Sequence, residues 1–232
     1  MRPWYARLGG TPSLEGLNAL AEEARLSTEG GKPIRFVSPS PSGPYYEVQV
    51  FETGCVQTRP DNLHDLFNAL AWLAFPRTKA RINALHAAEI PREPRRRGAG
   101  RRGRRRDLLT IFDEGGAIVA CADEELLALL RAFRWKELFW THRERVRAEM
   151  RCTVLGHAVM EQALAPRPGI TCKALLIHAG DADAQAAERL PALDSPKDLA
   201  ALPVFGLPGW FAQDEQFYSD TRYFRPAYGK AG

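Results

Sequence analysis

The segment from Asp61 to Pro76, DNLHDLFNALAWLAFP, leaves the chain few choices. It lies between Pro60 and Pro76 and contains no glycine, which predicts a helix over Asp61 to Phe75 capped by Asp61 or Asn62. At about 100° per residue, Leu63, Leu66, Phe67, Leu70, Leu73 and Ala74 fall on one side as a core-facing stripe. Asp61, His64, Asp65 and Asn68 gather opposite, and that side runs on into Trp72 and Phe75. Polar groups that continue into two large aromatics describe the wall of a pocket rather than a face turned to water.

With 232 residues, 45% hydrophobic and 26% charged, the chain can bury a substantial core and reads as one soluble domain over 1–232. No apolar run reaches the length of a membrane span, and MRPWYARLGG lacks the apolar core of a signal peptide, so the cytoplasm is expected. Cys55, Cys121, Cys152 and Cys172 stand singly, with no C-x-x-C pair. That disfavours a zinc ribbon or a disulfide framework and predicts free thiols.

The net charge of +4 is local in origin. Arg92 to Arg106 holds nine arginines and one glutamate; taking these from 32 basic and 28 acidic residues leaves 23 and 27. The run REPRRRGAGRRGRRR, broken by Gly and Pro, is expected to be a mobile loop attracted to phosphate, which makes RNA or DNA a candidate partner. It has no interleaved aromatic on which bases would stack.

Elsewhere the pattern predicts a helix over Leu14 to Leu26, with Thr11 and Pro12 as cap and first-turn residue. Ile34 to Val37 and Tyr45 to Thr53 read as the strands of a hairpin, and a helix is expected over Arg77 to Ile90. LLTIFDEGGAIVAC reads as a second hairpin turning at Asp113 to Gly116. Asp123 is a cap for the helix DEELLALLRAF, and a further helix is predicted over Trp135 to Met150. Cys152 to Leu155 reads as a strand or a helix start, Gly156 to Ala165 as a helix, and Gly169 to Ala179 as a buried strand. The expected class is α+β, a mostly helical single domain with small antiparallel hairpins and a loop-rich C-terminal segment.

Several strings together, DNLHDLFNALAWLAFPRTKARIN, RDLLTIFDEGGAIVA, GHAVMEQALAP, PVFGLPGW and FYSDTRYFRP, resemble the bacterial family known only as domain of unknown function 3025. The resemblance runs from about Pro3 to Pro226 and implies no established activity, cofactor or partner. The arginine run departs from the shorter, less basic connection expected of the family and reads as a local elaboration.

Two spacings carry metal or acid–base chemistry. His64 and Asn68, and likewise Asp61 and Asp65, are four apart on one helix face. His157 and Glu161 share the same spacing. A metal site would draw on His64, Asp65, His157 and Glu161, with a divalent ion activating water; His64, Asp65 and Asn68 are the candidate catalytic set. The plainer reading of each pair is a hydrogen bond within its helix. Asp113 and Glu114 would ligate a metal at a hairpin tip, or simply form the turn. Trp72, Trp210 and Tyr218, with Asp220, are candidate ligand-binding residues, unless the C-terminal aromatics only wrap onto the core. His86 and His178 sit on apolar patterns and are expected to be packed. No G-x-S-x-G, P-loop, G-x-G-x-x-G or H-E-x-x-H is present, which disfavours lipase-like, nucleotide and dinucleotide functions. The expectation is therefore a metal-dependent hydrolase, against a nucleic-acid accessory protein or a non-enzymatic binding protein.

Overall fold

The computed structural model describes residues 1–9, 12–40, 45–90 and 103–227 and divides the chain into two compact units. The first comprises Met1–Asp113 and Asp183–Pro196, the second Glu114–Ala182 and Lys197–Gly232. The class is α+β, mostly helical with small sheets.

In the first unit, α1 (Arg2–Arg7) is followed by α2 (Leu14–Glu23). Ser13 caps α2, its hydroxyl accepting the Gly16 N–H at 3.1 Å; Thr11, the expected cap, lies outside the described residues. Strand β1 (Arg35–Val37) pairs in parallel with β2 (Cys55–Gln57), setting Phe36 opposite Val56. Asn18 clamps the other edge of β1 by exchanging two hydrogen bonds with the Phe36 backbone, 2.8 and 2.9 Å long.

The expected strand over Tyr45 to Thr53 is instead helix α3 (Tyr46–Thr53), so no hairpin forms there. Its aromatic and β-branched residues favour a strand by composition, but packing decides. Only Val50 is fully buried, a one-sided pattern that suits a helix lying on the core. Gly54 ends it at φ 75°, its N–H returning to Val50 O at 2.8 Å.

Helix α4 (Leu63–Ala74) is capped by Asn62, whose carbonyl oxygen accepts the Asp65 N–H at 2.9 Å. Its core face is rotated from the expected stripe. Leu63 is 48% exposed, whereas Ala69, Leu70, Ala71, Trp72 and Leu73 are buried. Pro76 opens α5 (Pro76–Glu89) immediately, as the first-turn residue of a new helix. Helix α6 (Arg104–Gly115) follows the arginine run. The predicted second hairpin is thus wrong. LLTIFDE is helical, and the Gly115–Gly116 pair that resembled a turn is where α6 passes into a strand.

That strand, β3 (Gly116–Cys121), opens the second unit's sheet. Asp123 caps α7 (Glu124–Arg131), as expected. One π-helical turn (Glu137–Thr141) and α8 (Arg143–Glu149) occupy the place of the single helix predicted over Trp135 to Met150. Then come β4 (Met150–Val154), α9 (His157–Gln162), β5 (Thr171–Ile177), α10 (Ala182–Arg189) and β6 (Ala200–Pro203). The strand order is β4-β3-β5-β6, with β3 parallel to β5 and antiparallel to β4. None of these pairings is a hairpin, which corrects that part of the expected class. Of the C-terminal aromatics, Tyr218, Tyr223 and Phe224 pack in a core, with Phe211 and Phe217 against it. Tyr218 OH donates to Gly206 O at 3.0 Å, and Tyr223 OH to Ile170 O at 2.8 Å while accepting the Phe205 N–H. Among the described residues no helix is long and apolar enough to cross a membrane.

Candidate functional site

Helix α5 is where the first unit departs from ordinary packing. Its buried residues are Thr78, Lys79, Ala80, Ile82, Asn83 and His86, a face with four polar members. A buried ammonium is costly unless paired, and Lys79 is only 3% exposed. It also sits just inside the N-terminus of α5, the positive end of the helix dipole. Neither position favours stability.

Lys79 Nζ donates to Asp113 Oδ1 at 2.5 Å and to Asn68 Oδ1 at 2.8 Å, and lies 5.6 Å from the centre of the Trp72 ring. Asn68 and Trp72 are one helical turn apart on α4 and, alone of the polar-to-aromatic face, line this recess. One turn beyond Lys79, Asn83 Nδ2 donates to Glu47 O at 2.9 Å and to Glu47 Oε2 at 2.8 Å, tying α5 to α3. Tyr46, Glu47, Val50, Asn68, Trp72, Lys79, Ile82, Asn83 and Asp113 enclose one recess. It offers about 20 Å³ to the centre of a water-sized sphere, room for one or two water molecules. Tyr46, 41% exposed, is the most open of its walls.

The electrostatics follow from this enclosure. Burial, reinforced by the Asp113 carboxylate, raises the Glu47 carboxyl to about 6 against the pull of Asn83, Lys79 and Arg106. Burial and the neighbouring Glu47 and Asp113 carboxylates push the Tyr46 phenol well above its usual range, so it stays protonated. A carboxyl titrating near neutrality beside a fixed ammonium is suited to proton transfer.

The residues expected to carry chemistry are distributed differently. Asn68 and Trp72 belong to the recess. Asp65 does not line it. Arg59 grips its carboxylate through Nε at 2.8 Å, Nη2 at 2.9 Å and backbone N at 2.7 Å. Burial opposes ionisation of Asp65, but these contacts outweigh it and hold the carboxyl below its usual range. His64, half-buried, adds a favourable charge to Asp65 and does not line the recess either. His157 is buried and Glu161 exposed, both in the second unit, whereas His64 and Asp65 are in the first. Among the described residues no group of three or more His, Cys, Asp or Glu side chains is arranged to hold a metal ion. Trp210 is exposed and Tyr218 buried in the second unit's aromatic core. His86 is packed as expected, while His178 is exposed.

Of the arginine run, residues 92–102 lie outside the described residues. The expectation of a mobile loop fails for its end, because Arg104 to Arg106 form the first turn of α6. Arg105 Nη2 there donates to Pro191 O at 2.9 Å, and its Nη1 lies 3.6 Å from Glu89.

Sequence reasoning passed over Tyr46, Glu47, Lys79 and Asn83, and read Asp113 as a turn residue. One signal was available. PRTKARINALHAAE is a long helix with too few apolar residues to bury a face, so polar side chains had to fill it.

A site of buried acid and base groups on a small α+β scaffold defines a class by its chemistry alone. The particular family is shown by sequence: the chain belongs to the family described as Protein of unknown function (DUF3025), whose model matches residues 34–228. Neither the curated proteins nor the solved structures yield a match to the chain.

Proposed function

We propose that the protein is a hydrolase working by acid–base chemistry in the recess of Glu47, Lys79 and Asp113. The observation that carries this reading is the buried Lys79 ammonium sharing one recess with a Glu47 carboxyl raised to about 6. Glu47 acts as the general base, Lys79 supplies positive charge to a developing oxyanion, and Asp113 with Asn68 holds the ammonium in place. Perturbed titratable groups that converge in a concavity are candidates for a functional site.

The test is a panel of ester, amide and phosphoester substrates assayed with the wild type and with Glu47→Gln and Lys79→Met, each shown to be folded. Turnover lost by at least about 100-fold in both variants supports the reading. Turnover that both variants retain overturns it.

A divalent ion held by His64, Asp65, His157 and Glu161 is supported only by sequence spacing. Metal analysis of protein purified without a nickel column tests it. The nine arginines of Arg92 to Arg106 favour a second reading, an accessory protein bound to RNA or DNA. It predicts affinity that falls steeply with salt and disappears when residues 92–102 become a Gly/Ser linker. The free cysteines fit residence in the cytoplasm.

A further inference from the structure

One buried acceptor of the recess stands without a donor. Asn83 is 2% exposed, and its carbonyl oxygen has no hydrogen-bond partner among the described residues. Its amide cannot be turned to mend this, because the NH₂ group faces the Glu47 backbone carbonyl, which can only accept. The remaining acceptors are the Glu47 and Asp113 carboxylates and Asn68 Oδ1. Lys79 directs two of its three N–H groups to Asp113 and Asn68. A buried acceptor left without a donor keeps the cost of its lost hydration, so it calls for a guest that donates to it.

The size and charge of the space restrict that guest. The inner space of about 20 Å³ seats one or two water molecules, and on the side of Tyr46, 41% exposed, the recess is open to an approaching group. Two carboxylates face Lys79, and Arg106 acts on Glu47 from nearby, so the surroundings sum to neutral and favour an uncharged donor over a cation.

We propose that the recess seats a single water molecule, donating to Asn83 Oδ1 and to the Glu47 carboxylate, and that this water is the hydrolytic nucleophile. The catalytic half rests on the hydrolase reading above; the seat does not. As the water oxygen forms a bond to a substrate acyl carbon, one water O–H breaks and its proton passes to Glu47. The acyl oxygen takes the carbonyl π pair and is met by the third Lys79 N–H. When the oxyanion collapses, the leaving group departs with its bonding pair and takes the proton back from Glu47. One ammonium opposed by two carboxylates suits the single oxyanion of an acyl group better than a dianionic phosphoryl. Asn83 is the positioning residue.

A high-resolution crystal structure of the full chain tests the seat independently of turnover. It is expected to show one water within about 2.7–3.2 Å of Asn83 Oδ1 and of Glu47, and the Asn83→Leu structure none. An empty recess in the wild type overturns the seat. With an acyl substrate in hand, Asn83→Leu should lower kcat about 100-fold with KM changed less than threefold. It should also move the acidic limb of the pH profile upward, since the Asn83 bond to the carboxylate is lost. An unmoved limb overturns the positioning role. If Asn83→Leu does not fold, the wild-type structure decides the seat. Turnover by Glu47→Gln within threefold of the wild type then overturns the nucleophile. A seated water without acyl turnover defeats the hydrolase reading and keeps the seat. Turnover with an empty recess does the reverse.

Discussion

Asp183 caps a helix far before it in the chain: its carboxylate accepts the N–H of Thr78, 105 residues earlier, at 2.8 Å, and the Thr78 hydroxyl donates to Asp183 O at 3.0 Å. Phe75, the local cap residue of α5, offers no side-chain acceptor, and Pro76 removes one donor. Asp183 also takes the Arg77 N–H at 3.0 Å, so a residue remote in sequence satisfies the opening turn of α5. The added negative charge offsets the helix dipole beside Lys79.

Removing that cap should loosen the helix carrying Lys79 and Asn83. Asp183→Ala is expected to cost about 1–2 kcal/mol in urea unfolding, and Asp183→Asn less than half of that. Equal losses for the two would show that the carboxylate charge, not the acceptor geometry, does the capping.

The Lys79–Asp113 pair should show strong coupling. Asp113→Leu leaves an ammonium 4% exposed with Asn68 as its hydrogen-bond partner among the described residues, at an expected cost of about 3–4 kcal/mol. Lys79→Met takes the ammonium away from a carboxylate that is 18% exposed, and should cost about 2–3 kcal/mol. The double variant is expected within about 1 kcal/mol of the wild type, because an apolar pair avoids both desolvation penalties. Additive losses would mean that the two side chains stabilise the fold independently.

In the second unit, Gly206 lies between two rings. A Cβ there would stand 2.8 Å from the Phe139 ring and 2.9 Å from the Phe224 ring. Gly206→Ala is therefore expected to destabilise by about 1–3 kcal/mol, through overpacking and not through backbone strain. A change below about 0.5 kcal/mol in thermal unfolding would show that the rings give way freely.

The outline of the fold was legible where local signals agreed with packing. Asn62 and Asp123 are short-range caps, and both act as read. Pro76 was read as an end of α4, and it both ends α4 and opens α5. The failures lie where two signals look alike. YEVQVFET has the composition of a strand, and only the fit of α3 against its neighbours makes it a helix. A Gly–Gly pair marks a hairpin turn or a helix end equally well, and at Gly115 it is the latter. The site was half visible. Asn68 and Trp72 share a face that periodicity reveals, but Lys79, Asn83, Glu47 and Asp113 come from three other helices. No spacing within one segment reports that meeting.

Glu47 gives the most direct test of the electrostatics. The folded protein holds its proton up to about pH 6, whereas a free glutamate releases it near 4.5. Between these values the native state binds more protons than the unfolded chain, so the Glu47 contribution favours folding at low pH and is lost as pH rises through about 6. A shift of this size corresponds to about 2 kcal/mol at most, one unit being about 1.4 kcal/mol. Glu47→Gln keeps an acceptor for Asn83 and removes the buried charge. It should therefore be more stable than the wild type by about 1–2 kcal/mol at pH 8, and the advantage should vanish near pH 4.5. Denaturant midpoints of the two proteins across that range measure the difference directly. A gap independent of pH would mean that Glu47 is not the group titrating near 6.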